Sequence, residues 1–144
     1  MYSDEEVWEV LKKVNMVGAV RAMEHGLNEP VAENGDNLSQ GEKQLLCIAR
    51  SLLRRAKILV LDEATSACDP VTDDIIQQVL KSECTLNGTT VLTIAHRLHT
   101  IIDFDKILVM SAGVVAEYDS PGALLADSAS EFSKMLEDYN SSHR

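Results

Sequence analysis

Apolar residues recur at helical spacing through the first part of the chain. Ser3 and Glu6 have the spacing of a capping box, in which each side chain binds the other residue's backbone N–H at a helix start. An apolar stripe follows them, so the pattern predicts a helix from about Ser3 to Val14. A second helix is predicted from about Met16 to His25. The next dozen residues, GLNEPVAENGDN, are rich in Gly, Asn and Pro and are typical of a loop.

A second capping-box spacing precedes a change of pattern. Ser39 and Glu42 predict the start of a long helix that ends near Arg54. The run KILVLD at residues 57–62 is short and continuously apolar, which is typical of a parallel strand buried on both faces. The sequence therefore predicts a helix N-terminus, whose backbone N–H groups are free to bind an anion, shortly before a buried strand.

The second half alternates strands and helices. Asp69-Pro70 predicts an N-cap and first turn of a helix that runs to about Cys84. The remaining predicted elements are a turn at 87–88, a strand at 89–95, a short helix at 97–102, a hairpin at 106–118 turning at 111–113, and helices starting at 120 and at 130–139. This alternation predicts an α/β fold with parallel strands and a small antiparallel element.

Composition narrows the class of protein. The 144 residues suffice for one domain or part of one, and the net charge is -10. That charge argues against binding of nucleic acid or anionic lipid through the general surface. No apolar run reaches the ~18 residues of a membrane helix. We therefore expect no direct membrane insertion, with any spans supplied by another segment. Three cysteines without CxxC spacing predict reduced thiols in a cytosolic chain.

Two adjacent carboxylates close the predicted KILVLD strand. Asp62 and Glu63 would leave the strand in different directions at its carboxyl end, where open α/β sheets bind ligands. One could hold Mg²⁺ while the other polarises an attacking water. A solvated pair at a strand end is the plain alternative. The four aliphatic residues before the pair and the ATSACD after it favour the chemical interpretation.

Ser39, Gln40 and Gly41 lie where a loop becomes a helix. The N–H groups and positive dipole end of a helix N-terminus suit a phosphate, and a glycine lets backbone approach a ligand closely. An ordinary N-cap is the alternative for Ser39, and both interpretations can hold together. His96 follows a strand and could orient a water, or it could be a structural histidine. Asp69 is most simply the cap of the next helix.

The order of these segments resembles a known family. LSQGE followed by KQLLCIARSLLR, then ILVLDEATSACD, then TIAHRL is similar to the nucleotide-binding domain of ABC transporters. The flanking segments YSDEEVWEVLKKVNM and HTIIDFDKILVMSAGVVAEYDSPGALL resemble the C subfamily, the multidrug-resistance-associated group, and most of all its second nucleotide-binding domain. The implied fold is a RecA-like P-loop NTPase. The implied division is 1–55 as part of the helical signature subdomain, 56–128 as the core from Walker B to the H-loop, and 129–144 as a C-terminal helix and tail.

The resemblance also implies roles by position. The LSQGE run matches the ABC signature, with Ser39, Gln40 and Gly41 at cofactor-binding positions and the first and last of these on the γ-phosphate. Asp62 matches the magnesium position of Walker B. Glu63 matches the catalytic glutamate and His96 the switch histidine. Residues 66–69, with Asp69 at their end, resemble the D-loop, which crosses a dimer interface.

The implied cofactors are ATP and Mg²⁺. The implied partners are a second nucleotide-binding domain in a head-to-tail dimer and the membrane-spanning domains of a transporter, at the cytoplasmic face of a membrane. The signature departs from the commonest LSGGQ form, since Gln40 replaces a glycine and Glu42 replaces a glutamine. Glu42 brings an anion near the phosphate site, although capping can absorb it.

No GxxxxGK[ST] phosphate loop occurs in the sequence. By resemblance, this loop would precede Met1, together with the aromatic and glutamine loops, so we expect an N-terminally truncated ATPase domain. We also expect its missing strand to lie inside the sheet, so that apolar surface is exposed. Two hypotheses stay open. The chain is part of an ATPase that drives export and is active only when complete, or it is a catalytically inactive, signature-bearing interaction module that would itself be cytoplasmic.

Overall fold

Contacts group the chain into two compact units, Met1–Ile94 and Ala95–Arg144. The computed structural model describes residues 2–62, 68–94 and 98–142. Mixed helices and strands confirm the predicted α/β class. The predicted subdomain divisions after residues 55 and 128 stay predictions.

The first unit contains four helices and two strands among its described residues. These are α1 (Asp4–Lys13), α2 (Val17–Ala22), α3 (Gln40–Leu53), β1 (Ile58–Asp62), α4 (Pro70–Val79) and β2 (Thr90–Ile94). Two short 3-10 turns, Gly26–Asn28 and Glu33–Gly35, lie between α2 and α3, and a π-helical turn, Leu80–Cys84, extends α4. Helix α2 is shorter than predicted because the backbone becomes extended at Met23.

Both predicted capping boxes are confirmed. Ser3 accepts the N–H of Glu6 at 3.3 Å, and Glu6 accepts the N–H of Ser3 at 2.8 Å. The box at the start of α3 has the same two bonds. Each box satisfies two of the N–H groups that a helix start leaves without intrahelical partners. Local sequence therefore fixed where α1 and α3 begin.

Helices α1, α3 and α4 share one hydrophobic core. Its most deeply buried residues are Val14, Met16, Ile48, Ile76 and Cys84. Trp8, the single tryptophan of the chain, packs against this core from α1. Burial raises the pKa of the Cys84 thiol. Cys68 and Cys84 are buried, and Cys47 is exposed.

Strands β1 and β2 pair in parallel, with Val60 opposite Leu92. One face of the pair packs into the core through Leu59, Leu61 and Val91. The opposite face carries Ile58, Val60, Leu92 and Ile94, which are 54–67% exposed. The prediction that the KILVLD strand is buried on both faces is therefore wrong for this chain. Among the described residues of this unit, the helices pack on the Leu59–Leu61 side, and the other side is an exposed apolar face.

The second unit is a hairpin packed with helices. Its elements are α5 (Leu98–Ile101), β3 (Ile107–Ser111), β4 (Val114–Asp119), α6 (Pro121–Ala126) and α7 (Glu131–Ser142). The turn falls at Ala112 and Gly113, both with positive φ, as a two-residue hairpin turn with the right twist requires. Phe132, 1% exposed, lies at the centre of this unit's core.

A carboxylate on β4 caps the last helix. Glu117 accepts the N–H groups of Glu131 at 2.7 Å and Phe132 at 3.1 Å, and the hydroxyl of Ser130 at 3.1 Å. Burial raises the pKa of Glu117, but these hydrogen bonds outweigh it, so the pKa lies below its ordinary value. Glu117 thus holds β4 and α7 together.

Candidate functional site

The start of α3 is built as the sequence predicted for a capped helix. Ser39 has extended backbone angles, and its hydroxyl accepts the N–H of Glu42 at 3.2 Å. Glu42 accepts the N–H of Ser39 at 2.8 Å. The box thus uses the amides of Ser39 and Glu42 and does not involve those of Gln40 and Gly41. Since the capping interpretation of Ser39 is realised, a phosphate at this turn would meet mainly the latter two amides.

Glu42 is held by this box rather than turned toward the solvent beyond the helix end. Its carboxylate accepts the Ser39 N–H, so its negative charge offsets part of the positive potential at the helix start. Glu42 therefore has a capping role in the chain, and a glutamine at this position can fill the same role. The binding of a γ-phosphate by Ser39, Gln40 and Gly41 stays a prediction.

Gly41 lies against the start of α4. It is buried, and a Cβ placed on it would lie 2.8 Å from Cγ2 and 3.0 Å from Oγ1 of Thr72. Such distances are shorter than ordinary packing contacts, so any side chain at this position would force a shift. The helix α3 therefore requires glycine here for its packing on α4, whether or not a ligand also approaches.

Asp69 caps α4, as the sequence predicted. One carboxylate oxygen accepts the N–H groups of Val71 and Thr72, each at 3.0 Å, and the other accepts the Thr72 hydroxyl at 2.7 Å. These bonds, that of the hydroxyl foremost, lower the pKa of Asp69. Gly41 and Asp69 thus both lie against the side chain of one residue, Thr72. The cofactor-binding role of Asp69 stays a prediction.

Asp62 is the last residue of β1 and is exposed. It lies in a groove of about 400 Å³ between β1 and α3, with Gln44, Arg50 and Arg54 on the helix side. Among the described residues that line this groove, none belongs to the 39–41 turn. Of the residues that the sequence predicted for the site, Ser39, Gln40 and Gly41 therefore lie at a helix start, whereas Asp62 lies in a groove of the same unit.

A magnesium ion fits Asp62 as a single ligand. Mg²⁺ takes oxygen ligands and commonly keeps several waters while binding one or two carboxylates and substrate phosphates. An exposed carboxylate at the end of a parallel strand has the required chemistry. Within residues 2–62, 68–94 and 98–142, no cluster of three His, Cys, Asp or Glu side chains could hold a metal by itself. The metal role of Asp62 stays a prediction.

Two predicted catalytic residues, Glu63 and His96, lie outside the described residues. So do residues 66 and 67 of the predicted D-loop. Sequence reasoning missed Thr72 and Glu117. Thr72 follows Asp69 by three positions, a spacing that capping motifs use, so a local signal was present. Glu117 acts on a helix fourteen residues further on, and no local spacing indicates that contact.

Comparison with known proteins identifies the family. A family model described as "ABC transporter" matches residues 2–66. The chain is 47% identical over 140 residues to ABC transporter C family member 3 of Arabidopsis thaliana, covering 97% of this chain and 9% of that protein. It is also 47% identical over 138 residues to ABC transporter C family MRP4 of Zea mays, covering 96% of this chain and 9% of that protein. The chain belongs to the ABC transporter family.

A solved structure agrees with this assignment. The chain is similar to a bacterial Atm1-family ABC exporter solved with ATP bound, with a TM-score of 0.83 and 35% identity. The match covers 95% of this chain and 23% of the exporter chain. The resemblance to the C subfamily and the ABC ATPase fold are thereby confirmed. This ABC transporter segment spans about a tenth of the length of the curated relatives that it matches. Within its described residues, no helix has the length and apolarity to cross a bilayer.

Proposed function

We propose that this segment is the C-terminal part of the ATP-binding and ATP-hydrolysing domain of a C-family exporter, in which ATP hydrolysis drives transport across a membrane. The observation that carries the proposal is the pairing of an N-capped helix start at the LSQGE run with an exposed Asp62 at the carboxyl end of a parallel strand. Similarity over nearly the whole segment to C-family transporters supports it.

In the proposed mechanism, each group of residues serves a different ATP. The 39–41 turn offers backbone amides to the γ-phosphate of a nucleotide held by a partner nucleotide-binding domain. Asp62 lies in the groove between β1 and α3, which residues 39–41 do not line, and serves the nucleotide of its own domain. Bound Mg²⁺ would neutralise charge on the phosphates there. The domain would dimerise head to tail, beside membrane-spanning domains at the cytoplasmic face of a membrane.

Glu63 and His96 complete the proposal from sequence alone. Glu63 directly follows Asp62 and is proposed as the general base that takes a proton from the attacking water. His96 follows β2, the strand that pairs with β1, and is proposed to orient that water. Because neighbouring parallel strands end at the same edge, both residues follow strands that approach one ligand site.

The test uses a full-length C-family transporter in which these 144 residues replace the matching segment. We expect Glu63→Gln to abolish ATP turnover while ATP binding persists, because amide and carboxylate have similar size but the amide cannot accept the proton. Asp62→Asn should raise the Mg²⁺ concentration needed for turnover. Glu137→Gln, an exposed change on α7, is the matched control and should retain activity. Undiminished turnover in Glu63→Gln would refute the assignment.

A non-catalytic role is the second candidate. The sequence contains no GxxxxGK[ST] loop, and the exposed apolar face of β1 and β2 is suited to cover by another protein surface. In that case the 144-residue chain is a signature-bearing interaction module. It should show no ATPase activity and only weak nucleotide affinity by itself. Robust Mg²⁺-dependent ATPase activity from the chain alone would contradict this candidate.

A further inference from the structure

Near their N-termini, helices α3 and α4 bring Gly41 and Thr72 together. Gly41 comes from the LSQGE turn, and Thr72 lies one turn into α4. An added Cβ on Gly41 would lie 2.8 Å from the Thr72 methyl carbon, Cγ2, and 3.0 Å from its hydroxyl oxygen. The methyl group therefore occupies the space that a side chain on α3 would need, and the two helix starts are in direct contact.

The Thr72 side chain is not free to rotate away from this contact. Its hydroxyl donates to Asp69 at 2.7 Å, and its own backbone N–H binds the other oxygen of the same carboxylate at 3.0 Å. A hydrogen bond to an ionised carboxylate is roughly twice as strong as one between neutral groups. The lowered pKa of Asp69 keeps that carboxylate ionised at neutral pH. Threonine is also restricted at χ1 by its branched Cβ.

We propose that Thr72 is a positioning residue that fixes the LSQGE turn relative to Asp69, the last residue of the D-loop segment. Its methyl group packs on Gly41, and its hydroxyl binds Asp69. A movement at either helix start is thereby passed to the other through the Thr72 side chain. For ATP hydrolysis, this inference rests on the proposed function. For the contact itself it rests on geometry alone.

The proposal gives Gly41 a second reason to be glycine. The sequence suggested that glycine lets backbone approach a phosphate, which concerns a ligand outside the chain. The contact with Thr72 is internal and would exclude alanine even without a ligand. Two substitutions test the internal contact without a ligand. Gly41→Ala adds a methyl group at the contact, and Thr72→Ser removes one while it keeps the hydroxyl.

The first experiment measures the contact in the 144-residue chain. Urea unfolding is followed by fluorescence of Trp8, which packs on the core of the first unit. We expect Gly41→Ala to lower the unfolding midpoint and Gly41→Ala with Thr72→Ser to recover at least half of that loss. Gly18→Ala, at an exposed glycine with open space around its Cα, is the matched control and should not lower the midpoint. Strict additivity of the two changes would overturn the proposed contact.

The second experiment measures positioning in the full-length transporter that carries this segment. Thr72→Val keeps the branched shape but cannot bind Asp69. We expect kcat for ATP to fall at least fivefold, expressed per ATP-binding site, while KM for ATP changes less than twofold. Thr72→Ser keeps the hydroxyl bond to Asp69 but loses the methyl contact with Gly41, so its kcat should lie between those of Thr72→Val and the original. A purely structural role would reduce the number of ATP-binding sites without changing kcat per site.

The outcomes distinguish this inference from the proposed function. Unchanged kcat per site in Thr72→Val, with Glu63→Gln inactive, would overturn the positioning role and leave the ATPase assignment standing. Turnover by Glu63→Gln would refute the proposed ATPase function. Coupling between positions 41 and 72 would then show packing alone, so the positioning role of Thr72 in ATP hydrolysis would be overturned as well. Loss of kcat per site in Thr72→Val, with a smaller loss in Thr72→Ser, supports the proposal.

Discussion

Replacement of Ser39 separates helix capping from phosphate binding at the LSQGE turn. The Ser39 hydroxyl accepts the Glu42 N–H at 3.2 Å, which is its capping bond. Ser39→Ala removes that acceptor, whereas Ser39→Asp supplies another, since Ser and Asp are about equally good N-caps. The two variants therefore differ in capping. Both lack the hydroxyl, and only the second adds a negative charge to the turn.

The expected stability changes follow from the cap alone. Loss of a serine N-cap costs about 1 kcal/mol, while an aspartate cap should change stability by only a few tenths of a kcal/mol. With a urea dependence of about 1–3 kcal/mol per molar, Ser39→Ala should lower the unfolding midpoint of the chain by about 0.3–1 M. Trp8 fluorescence reports that midpoint because Trp8 packs on the core to which α3 belongs.

For ATP turnover, we expect Ser39→Asp to be the more harmful of the two variants, although it is the less harmful for stability. A carboxylate about 4 Å from a phosphate charge repels it by about 1 kcal/mol in water and about 4 kcal/mol at an effective dielectric constant of 20. Ser39 is exposed, so the lower part of this range applies. In the full-length transporter, Ser39→Asp should therefore lower ATP affinity or turnover by roughly 5- to 30-fold at about 1–2 kcal/mol, and Ser39→Ala should have a smaller effect.

The first helix supplies a matched control. Ser3 and Glu6 form the same capping box at the start of α1. Ser3→Ala should destabilise the chain by a similar amount, and Ser3→Asp should leave ATP turnover unchanged because no phosphate role is proposed there. The reasoning would be refuted if Ser39→Asp turned over ATP like the unaltered protein, or if Ser39→Ala and Ser39→Asp lowered the urea midpoint equally.

Two further predictions concern features outside this turn. Because the pKa of Glu117 lies below its ordinary value, its stabilisation of α7 is present above the ordinary glutamate pKa and is lost as the pH falls through the lowered value. Hydrogen exchange of the Glu131 and Phe132 amides should accelerate over that acidic range. Glu117→Gln should show fast exchange at neutral pH as well. Protection of these amides that does not change with pH in the unaltered chain would contradict this prediction. Val60→Thr with Leu92→Thr should raise the solubility of the 144-residue chain by light scattering and change its urea midpoint little, since both side chains are more than half exposed. The same pair should impair a full-length transporter that covers this face, and unimpaired turnover would show that nothing apolar packs there.

Local sequence predicted correctly where several of the helices and the first strand begin or end. The capping boxes at Ser3 and Ser39, the Asp69-Pro70 helix start and the strand ending at Asp62 all appear where their spacing indicated. Each depends on groups within about one helical turn or one strand, and such contacts form in nearly the same way in any fold. The ABC resemblance depended on the order of the same segments, and comparison with known proteins confirmed it.

Only the tertiary structure decided which residues meet across the chain. Thr72 faces Gly41 because α3 packs on α4, and Glu117 reaches the start of α7 because the hairpin folds back onto that helix. The exposure of Val60 likewise contradicted its apolar pattern, since a hydrophobic run shows that a face can be buried but not what covers it. Sequence spacing determines contacts within an element, whereas contacts between elements depend on the path of the whole chain, which no short pattern encodes.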